Sequence, residues 1–360
     1  MHIPGADLVA AGRRRHAERM LDDTAANADR SRRIEPETAR SGLIARQEAF
    51  AKGFNADDIK RRVSRHEWTV VRPGAYLQAS ELPSLAPTQR HLLQIDAELP
   101  HVSEDAVLSH LSAACEHGID LVREPSKTVQ VTNPSGATGH RRPLLHTRRA
   151  AIDDDEWVLL RGHRVTTVAR TVVDIARTCS FEEGVAAADS ALRRGLVSSE
   201  ELMLAVDRAP RRAGMRRARR VVLFADAGAE SVGESRSRVL IAHARLPMPV
   251  VQYRIVGPAD NLVAVSDFGW EEFGTVGEFD GAGKYYRGLR PGESPGDTAF
   301  REKIREDRIR DTGLQVVRWT WEDLDRSAEV ADRIRRALDR GLRARRPCVV
   351  PNDRTESASA

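Results

Sequence analysis

Between Gly42 and Leu77 the apolar positions change period: GLIARQEAFAKGFNADDIKRRVSRHEWTVVRPGAYL. Leu43, Ile44, Ala49 and Phe50 give a short helix one apolar side. Gly53 permits a turn, with Phe54 packing at it. Asn55 is a good N-cap, because its side chain can accept from free backbone N–H groups two or three residues on. Ile59 and Val63 share the next helical face, while Lys60, Arg61, Arg62 and Arg65 load the rest with positive charge. Trp68 to Val71 reads as a strand, Pro73 and Gly74 as a turn, and Tyr76 and Leu77 as a returning strand.

Further on, DAVLSHLSAACEHG (105–118) predicts a buried helix closed by glycine. TVQVTNP, PLLHTRR and WVLLRGHRVTTVART are β-like, the last running into a helix that extends to about Ala176, with Asp174 placed to tie local structure. Helices are expected over 182–194 and from about Ser199, capped by Ser198. RAPRRAGMRRARRVV packs Arg208, Arg211, Arg212, Arg216, Arg217, Arg219 and Arg220 into one segment, a helix face suited to phosphate contact or to pairing with local acids. After a helix holding Glu234, strands are expected at Val250–Val256, Asn261–Phe268, Thr275–Asp280 and Leu314–Trp319. Two helices complete the pattern, 297–312 ending at Gly313 and 327–339 with an inner stripe of Val330, Ile334 and Leu338.

At 360 residues the chain is too long for one ordinary core, and two or three domains are expected. Hydrophobic residues at 41% and charged residues at 31% give a soluble globular balance. No apolar run reaches the roughly eighteen residues of a membrane span, and the charged N-terminal stretch lacks the core of a secretory signal. Cys115, Cys179 and Cys348 are too scattered for a disulfide framework or metal motif, so a reducing cytoplasm is the plain reading. A net charge of +4 says little; its concentration in particular segments says more.

The acids of the last third carry the candidate chemistry. Side chains alternate along a strand, so Val263, Val265 and Asp267 share one face, as do Val276, Glu278 and Asp280, with Phe279 opposed. If the strands pair across GWEEFG, Asp267 comes close to Glu278 and Asp280, and Glu234 approaches from its helix. Clustered carboxylates oppose one another's ionisation unless a cation neutralises them. Oxygen ligands suit Mg2+ or Mn2+, which would activate a water and polarise a phosphate. Lys284 would hold that phosphate or orient the water, and Arg305 and Arg308 would contact the substrate backbone. The plainer alternative makes Asp267 and Asp280 turn caps, Glu278 an edge-strand solubiliser and Lys284 simply exposed.

The first module combines helix, turn, helix and small hairpin, a winged helix-turn-helix pattern. Residues 55–65 would form its recognition helix, with Lys60, Arg61, Arg62 and Arg65 toward DNA and Arg72 of the hairpin tracking the adjacent backbone. A small protein-interaction domain with a solvated basic helix is the other reading. His110 and His117 read as buried or cap-stabilising residues.

Two resemblances sharpen this picture. Residues 231–324 resemble the restriction-endonuclease-like PD-(D/E)XK superfamily in its very-short-patch-repair-like branch, on SVGESRSR, VSDFGW, VGEFDGAGKY and REKIREDRIRDTGLQVVRWTWEDL. The resemblance implies metal roles for Asp267 and Glu278 and a supporting role for Glu234. Asp280 stands where the usual lysine is expected, and Lys284 is the candidate replacement. From Gly42 to about Leu324 the chain also resembles actinobacterial proteins related to AbiEi-like antitoxins of type IV toxin–antitoxin systems, on GLIARQEAFAKGF, WTVVRPGAYL, VLSHLSAACEHG and VTTVARTVVDIAR. That implies a DNA-binding winged helix and autoregulation.

The expected fold is multidomain α+β. It comprises a polar arm (1–38), a winged helix-turn-helix (39–80), a middle α+β domain (100–222), a restriction-endonuclease-like α/β domain (228–342) and a disordered tail (343–360). The expected function is a metal-dependent DNA endonuclease or nickase. The alternative is a non-catalytic DNA-binding regulator of the antitoxin kind. DNA is the expected partner, with a protein partner left open.

Overall fold

The computed structural model describes residues 42–136, 138–209, 211–257, 261–281, 304–305 and 307–345. The predicted arm, Lys284, half of the helix predicted over 297–312 and the tail beyond 345 lie outside the described residues. The chain divides into two compact α+β units. One holds residues up to Gly118 with Glu124–Val168; the other holds Ile119–Arg123 with the residues from Ala169 on. The predicted middle segment, 100–222, thus contributes its strands to the first unit and most of its helices to the second.

The first unit opens with β1 (Ile44–Ala45), α1 (Arg46–Ala51), α2 (Ala56–Ser64), β2 (Trp68–Arg72) and β3 (Ala75–Gln78). The strands form a sheet in the order β1-β3-β2. Gly53 and Gly74, at φ +87° and +90°, make the turns that a side chain would strain. At the start of α2 the Asp58 amide donates to Asn55 Oδ1 at 2.9 Å, and the Asn55 amide donates to Asp58 Oδ2 at 3.1 Å. This reciprocal cap fixes where the helix begins. Ala49, Ile59, Trp68 and Tyr76 form the core, joined by Ile44, Phe54 and Val63.

The unit continues with α3 (Pro87–Glu98), β4 (Val107–Leu108), α4 (His110–Glu116), β5 (Val129–Asn133), β6 (His140–Arg141), β7 (Leu145–Arg149), β8 (Trp157–Leu160) and β9 (His163–Thr166). Six strands lie in the order β6-β7-β5-β4-β9-β8. The single helix expected over 105–118 is therefore a strand followed by a shorter helix. Val107 and Leu108 are taken by β5 on one side, and Leu108 by β9 on the other, a long-range pairing that overrides local helical preference. Arg161, in the β8–β9 turn, donates to both Asp96 oxygens at 2.7 and 2.6 Å and reaches Glu116 at 3.2 Å. It thereby ties α3 and α4 to the hairpin.

The second unit holds α5 (Val168–Thr178), α6 (Phe181–Arg193), α7 (Ser199–Asp207) and α8 (Met215–Phe224), then α9 (Val232–His243). Ser180 and Ser198 cap α6 and α7, each through a capping box. Asp174 accepts from Arg170 at 2.9 Å and Arg177 at 2.7 Å, the local tie expected of it. Asp189 of α6 meets Arg238 of α9 at 2.8 Å in the interior. Burial pushes the Asp189 carboxyl above its ordinary range, against the pull of Arg238.

After α9 come β10 (Val250–Val256), β11 (Leu262–Trp270), β12 (Thr275–Asp280), β13 (Gln315–Thr320), α10 (Trp321–Leu324) and α11 (Ser327–Arg345). The sheet runs β10-β11-β12-β13, antiparallel except for the parallel β12–β13 pair. Phe268, Trp270, Phe279 and Trp319 pack with Ile241, Ile334 and Leu338 in the larger core. Ile255, Ala264, Val276 and Ile309 form a second cluster. The alternation predicted for β12 is what separates Phe279 from Val276. The last helix runs past the predicted end at 339 to Arg345.

Candidate functional site

Two arrangements bear on function, one in each unit. Lys60 of α2 and Arg65, its C-cap residue, are exposed. Arg61 is exposed too and lies 3.5 Å from Asp58. Arg62 serves the module itself: it pairs with Glu67 at 2.9 Å and sits over the rings of Phe54 and Trp68 at 4.9 and 5.5 Å. Arg72 turns inward to Glu98 of α3 at 2.9 Å, its side chain only 17% exposed. The hairpin arginine expected to track DNA is thus spent on internal packing. A long side chain beside a buried carboxylate gains a charge-assisted bond there.

The arginine-rich segment divides the same way. Arg217 donates to the carbonyls of Ala176 and Arg177 at 3.0 and 2.6 Å, capping the end of α5. Arg219 pairs with Asp207, and Arg220 lies over Phe181. Arg211 and Arg216 are exposed.

The acids of the second unit lie along the sheet. Val251–Phe268 and Tyr253–Ser266 bracket Gln252 and Asp267, and Phe268–Gly277 is followed by Asp267 beside Glu278. Glu278 is paired in register with Arg318 of β13. Asp267, Glu278 and Arg318 therefore stand at neighbouring positions of three adjacent strands, while Gln252, at φ +50°, turns its side chain to Glu234 of α9. Asp280 is half-buried at the end of β12, in register with Thr320.

Glu234 and Asp267 are held by hydrogen-bond donors, and Glu278 by two ion pairs. Glu234, buried in the first turn of α9, accepts from the Glu230 amide at 2.9 Å, the Ser231 hydroxyl at 2.8 Å and Gln252 Nε2 at 3.2 Å. Asp267 accepts the Phe279 amide at 2.8 Å, where the β11–β12 ladder ends. Glu278 has one oxygen 2.8 Å from Arg305 and the other 2.8 Å from Arg318. Arg305 also donates to the Val265 carbonyl at 2.5 Å. Arg308 is exposed and lines a cleft with Val256, Leu262 and Thr312.

The register sets Asp267 and Glu278 at neighbouring positions of β11 and β12, whereas Glu234 is a helix-cap acid reached by Gln252. Among the described residues no three His, Cys, Asp or Glu side chains are grouped as metal ligands. Two guanidinium groups already face the Glu278 carboxylate, a charge with which a bound Mg2+ or Mn2+ would have to compete.

Sequence reasoning passed over Gln252 and Arg318. Both are polar residues inside apolar strands, VQYRIV and QVVRWT. Gln252 also has φ +50°, a conformation rare for a residue with a side chain. Its polarity within the strand is visible in the sequence; its partner is not. No described helix is long and apolar enough to cross a membrane.

Comparison with known proteins places part of this chain. It is 32% identical over 184 residues to two Mycobacterium tuberculosis proteins, Uncharacterized protein Rv2248 and Uncharacterized protein MT2308. Each match spans 51% of this chain and 65% of the relative. Among solved structures, the crystal structure of the RV2827C protein from Mycobacterium tuberculosis aligns over 61% of this chain and 85% of its own, at 14% identity and a TM-score of 0.34. Residues 106–223, which carry the six-stranded sheet and the helices through most of α8, match the family described as AbiEi antitoxin C-terminal domain.

Proposed function

We propose that this chain is a non-catalytic, DNA-binding regulator of the antitoxin kind. The observation that carries the reading is α2: a reciprocally capped helix, standing between a turn and a two-stranded hairpin, on which Lys60 and Arg61 face solvent together with Arg65 at its C-cap. In this reading the module is a winged helix-turn-helix, α2 enters the major groove, and the three cations meet phosphates or base edges. The antitoxin-domain match at 106–223 supports the regulatory role. Arg211 and Arg216 add a second source of phosphate attraction.

The hydrolase reading retains its motif acids, Asp267, Glu278 and Asp280, with Lys284 and Mg2+ or Mn2+. The ion pairs on Glu278 weigh against it.

The test is fluorescence anisotropy on a duplex from the chain's own upstream region and on a scrambled duplex, across a salt series. Lys60→Gln and Arg65→Gln each lower the slope of log affinity against log salt by about 1, the effect of leaving one phosphate without its cation. Asp267→Asn binds like the wild type, and none of the proteins cuts DNA with magnesium or manganese present. Affinity and salt slope unchanged in the Lys60→Gln/Arg65→Gln double variant would remove the basis of the reading.

A further inference from the structure

The row Asp267–Glu278–Arg318 poses a problem of charge. Glu278 is 7% exposed, and an ionised carboxylate at that depth needs a compensating charge. Two sources are conceivable: a bound divalent cation or a side chain of the protein. The geometry selects the second. Arg318 approaches from the neighbouring strand and Arg305 from the helical residues beside the sheet, each within 2.8 Å of a different oxygen. Arg305 additionally donates to the Val265 carbonyl of β11. One guanidinium thus spans β11 and β12.

We propose that Arg305 and Arg318 supply, from within the chain, the positive charge that a divalent cation would supply at this row of acids. The centre is then a permanent ion-pair staple. Arg305 fastens the helical residues at 304–305 and 307–311 to the sheet, and Arg318 locks the parallel β12–β13 pair. Three contacts near the row agree with this assignment. Glu234 spends both oxygens on neutral donors at the start of α9. Asp267 accepts a backbone amide where the ladder would otherwise leave it unpaired. Gln252, in a left-handed conformation, directs its amide to Glu234. A divalent ion would have to displace guanidinium groups already in contact, and the two like charges would repel it. The inference is independent of DNA binding by α2, and either can fail alone.

The test uses the full-length protein and two measurements. In the first, Mn2+ is titrated into wild type and Asp267→Asn and followed by electron paramagnetic resonance, with and without duplex DNA. The expected result is the same spectrum for both proteins under both conditions. A saturable one-to-one Mn2+ site in the wild type that vanishes in Asp267→Asn overturns the proposal. In the second, urea unfolding compares Arg305→Gln, Glu278→Gln and the double variant. The expected fall in the midpoint of the double variant is smaller than the sum of the two single falls, because both single variants remove the Arg305–Glu278 pair. A fully additive fall overturns the staple. Should a variant fail to fold, the Mn2+ titration of the wild type still decides the matter.

Discussion

At the scale of single residues, burial decides which groups are reactive. Cys115 lies in the interior of the first unit, and burial, helped by the charge of Glu116, pushes its thiol up to about 12. The thiolate is the nucleophile, so Cys115 resists alkylation in the native protein while the half-buried Cys179 reacts. Peptide mapping after brief iodoacetamide treatment checks this; equal labelling of the two would contradict the burial. His91 and His117 show the same effect on a base. A carbonyl can only accept, so His91 Nδ1 donates to Ser126 at 2.8 Å, leaving Nε2 to accept from the Ser112 hydroxyl at 2.9 Å. His117 Nε2 donates to the Thr166 carbonyl at 2.7 Å. Burial holds both below the ordinary value of 6.5. The unfolded chain then binds more protons, so this stability is complete above pH 6.5 and lost as pH falls through the lower folded values. Glu116, which burial pushes upward, acts in the opposite sense. The histidine contribution is therefore read as a difference: Tm of the wild type falls more steeply from neutrality to about pH 5.5 than that of His91→Gln/His117→Gln.

At the scale of elements, helix ends and close contacts set geometry. The Asn55–Asp58 cap satisfies amides that α2 would otherwise leave open. Asn55→Ala costs about 1 kcal/mol of stability, measurable by urea unfolding, and also weakens DNA binding if α2 is the recognition helix. An unchanged midpoint would mean that the cap contributes nothing. In the second unit, Gly233 places α9 against β12, where an added Cβ would stand 2.0 Å from the Phe279 ring. Gly233→Ala therefore overpacks the core and costs about 1–3 kcal/mol, seen as a lower unfolding midpoint.

At the scale of the whole molecule, the units are not cut from the chain in one piece. The first unit needs β5 to β9 as well as β4, because its six-stranded sheet is assembled from both sides of residues 119–123. A fragment ending at Gly118 keeps only β4 of that sheet and leaves Val107 and Leu108 without partners. A fragment ending at Val168 keeps all six strands. Hydrogen exchange is expected to show Val107 and Leu108 amides protected in the longer fragment and unprotected in the shorter one. Protection in both would show that the sheet is dispensable to them.

Local patterns made most of the elements legible. The period of apolar positions in the first module, the serine caps of α6 and α7, and the alternation along β12 all lie within a few residues of what they specify. The facing of Phe279 and Glu278 to opposite sides followed from alternation alone. The strand at Val107–Leu108 did not, because its partners lie more than twenty residues away and compete with a helical neighbourhood. The basic residues of the first module were likewise visible as charges but not as contacts. Whether Arg62 and Arg72 face solvent depends on Glu67 and Glu98, which only folding brings within reach. The acids of the second unit teach the same lesson. That Asp267 and Glu278 sit on strands was written in their sequence, and hairpin pairing set them side by side. What neutralises Glu278 was decided by tertiary structure, since strand register and chain crossover deliver Arg318 and Arg305 to its two oxygens. Local covalent order determines period and facing; the partner of a charge is determined by whatever the fold carries to within a few ångströms.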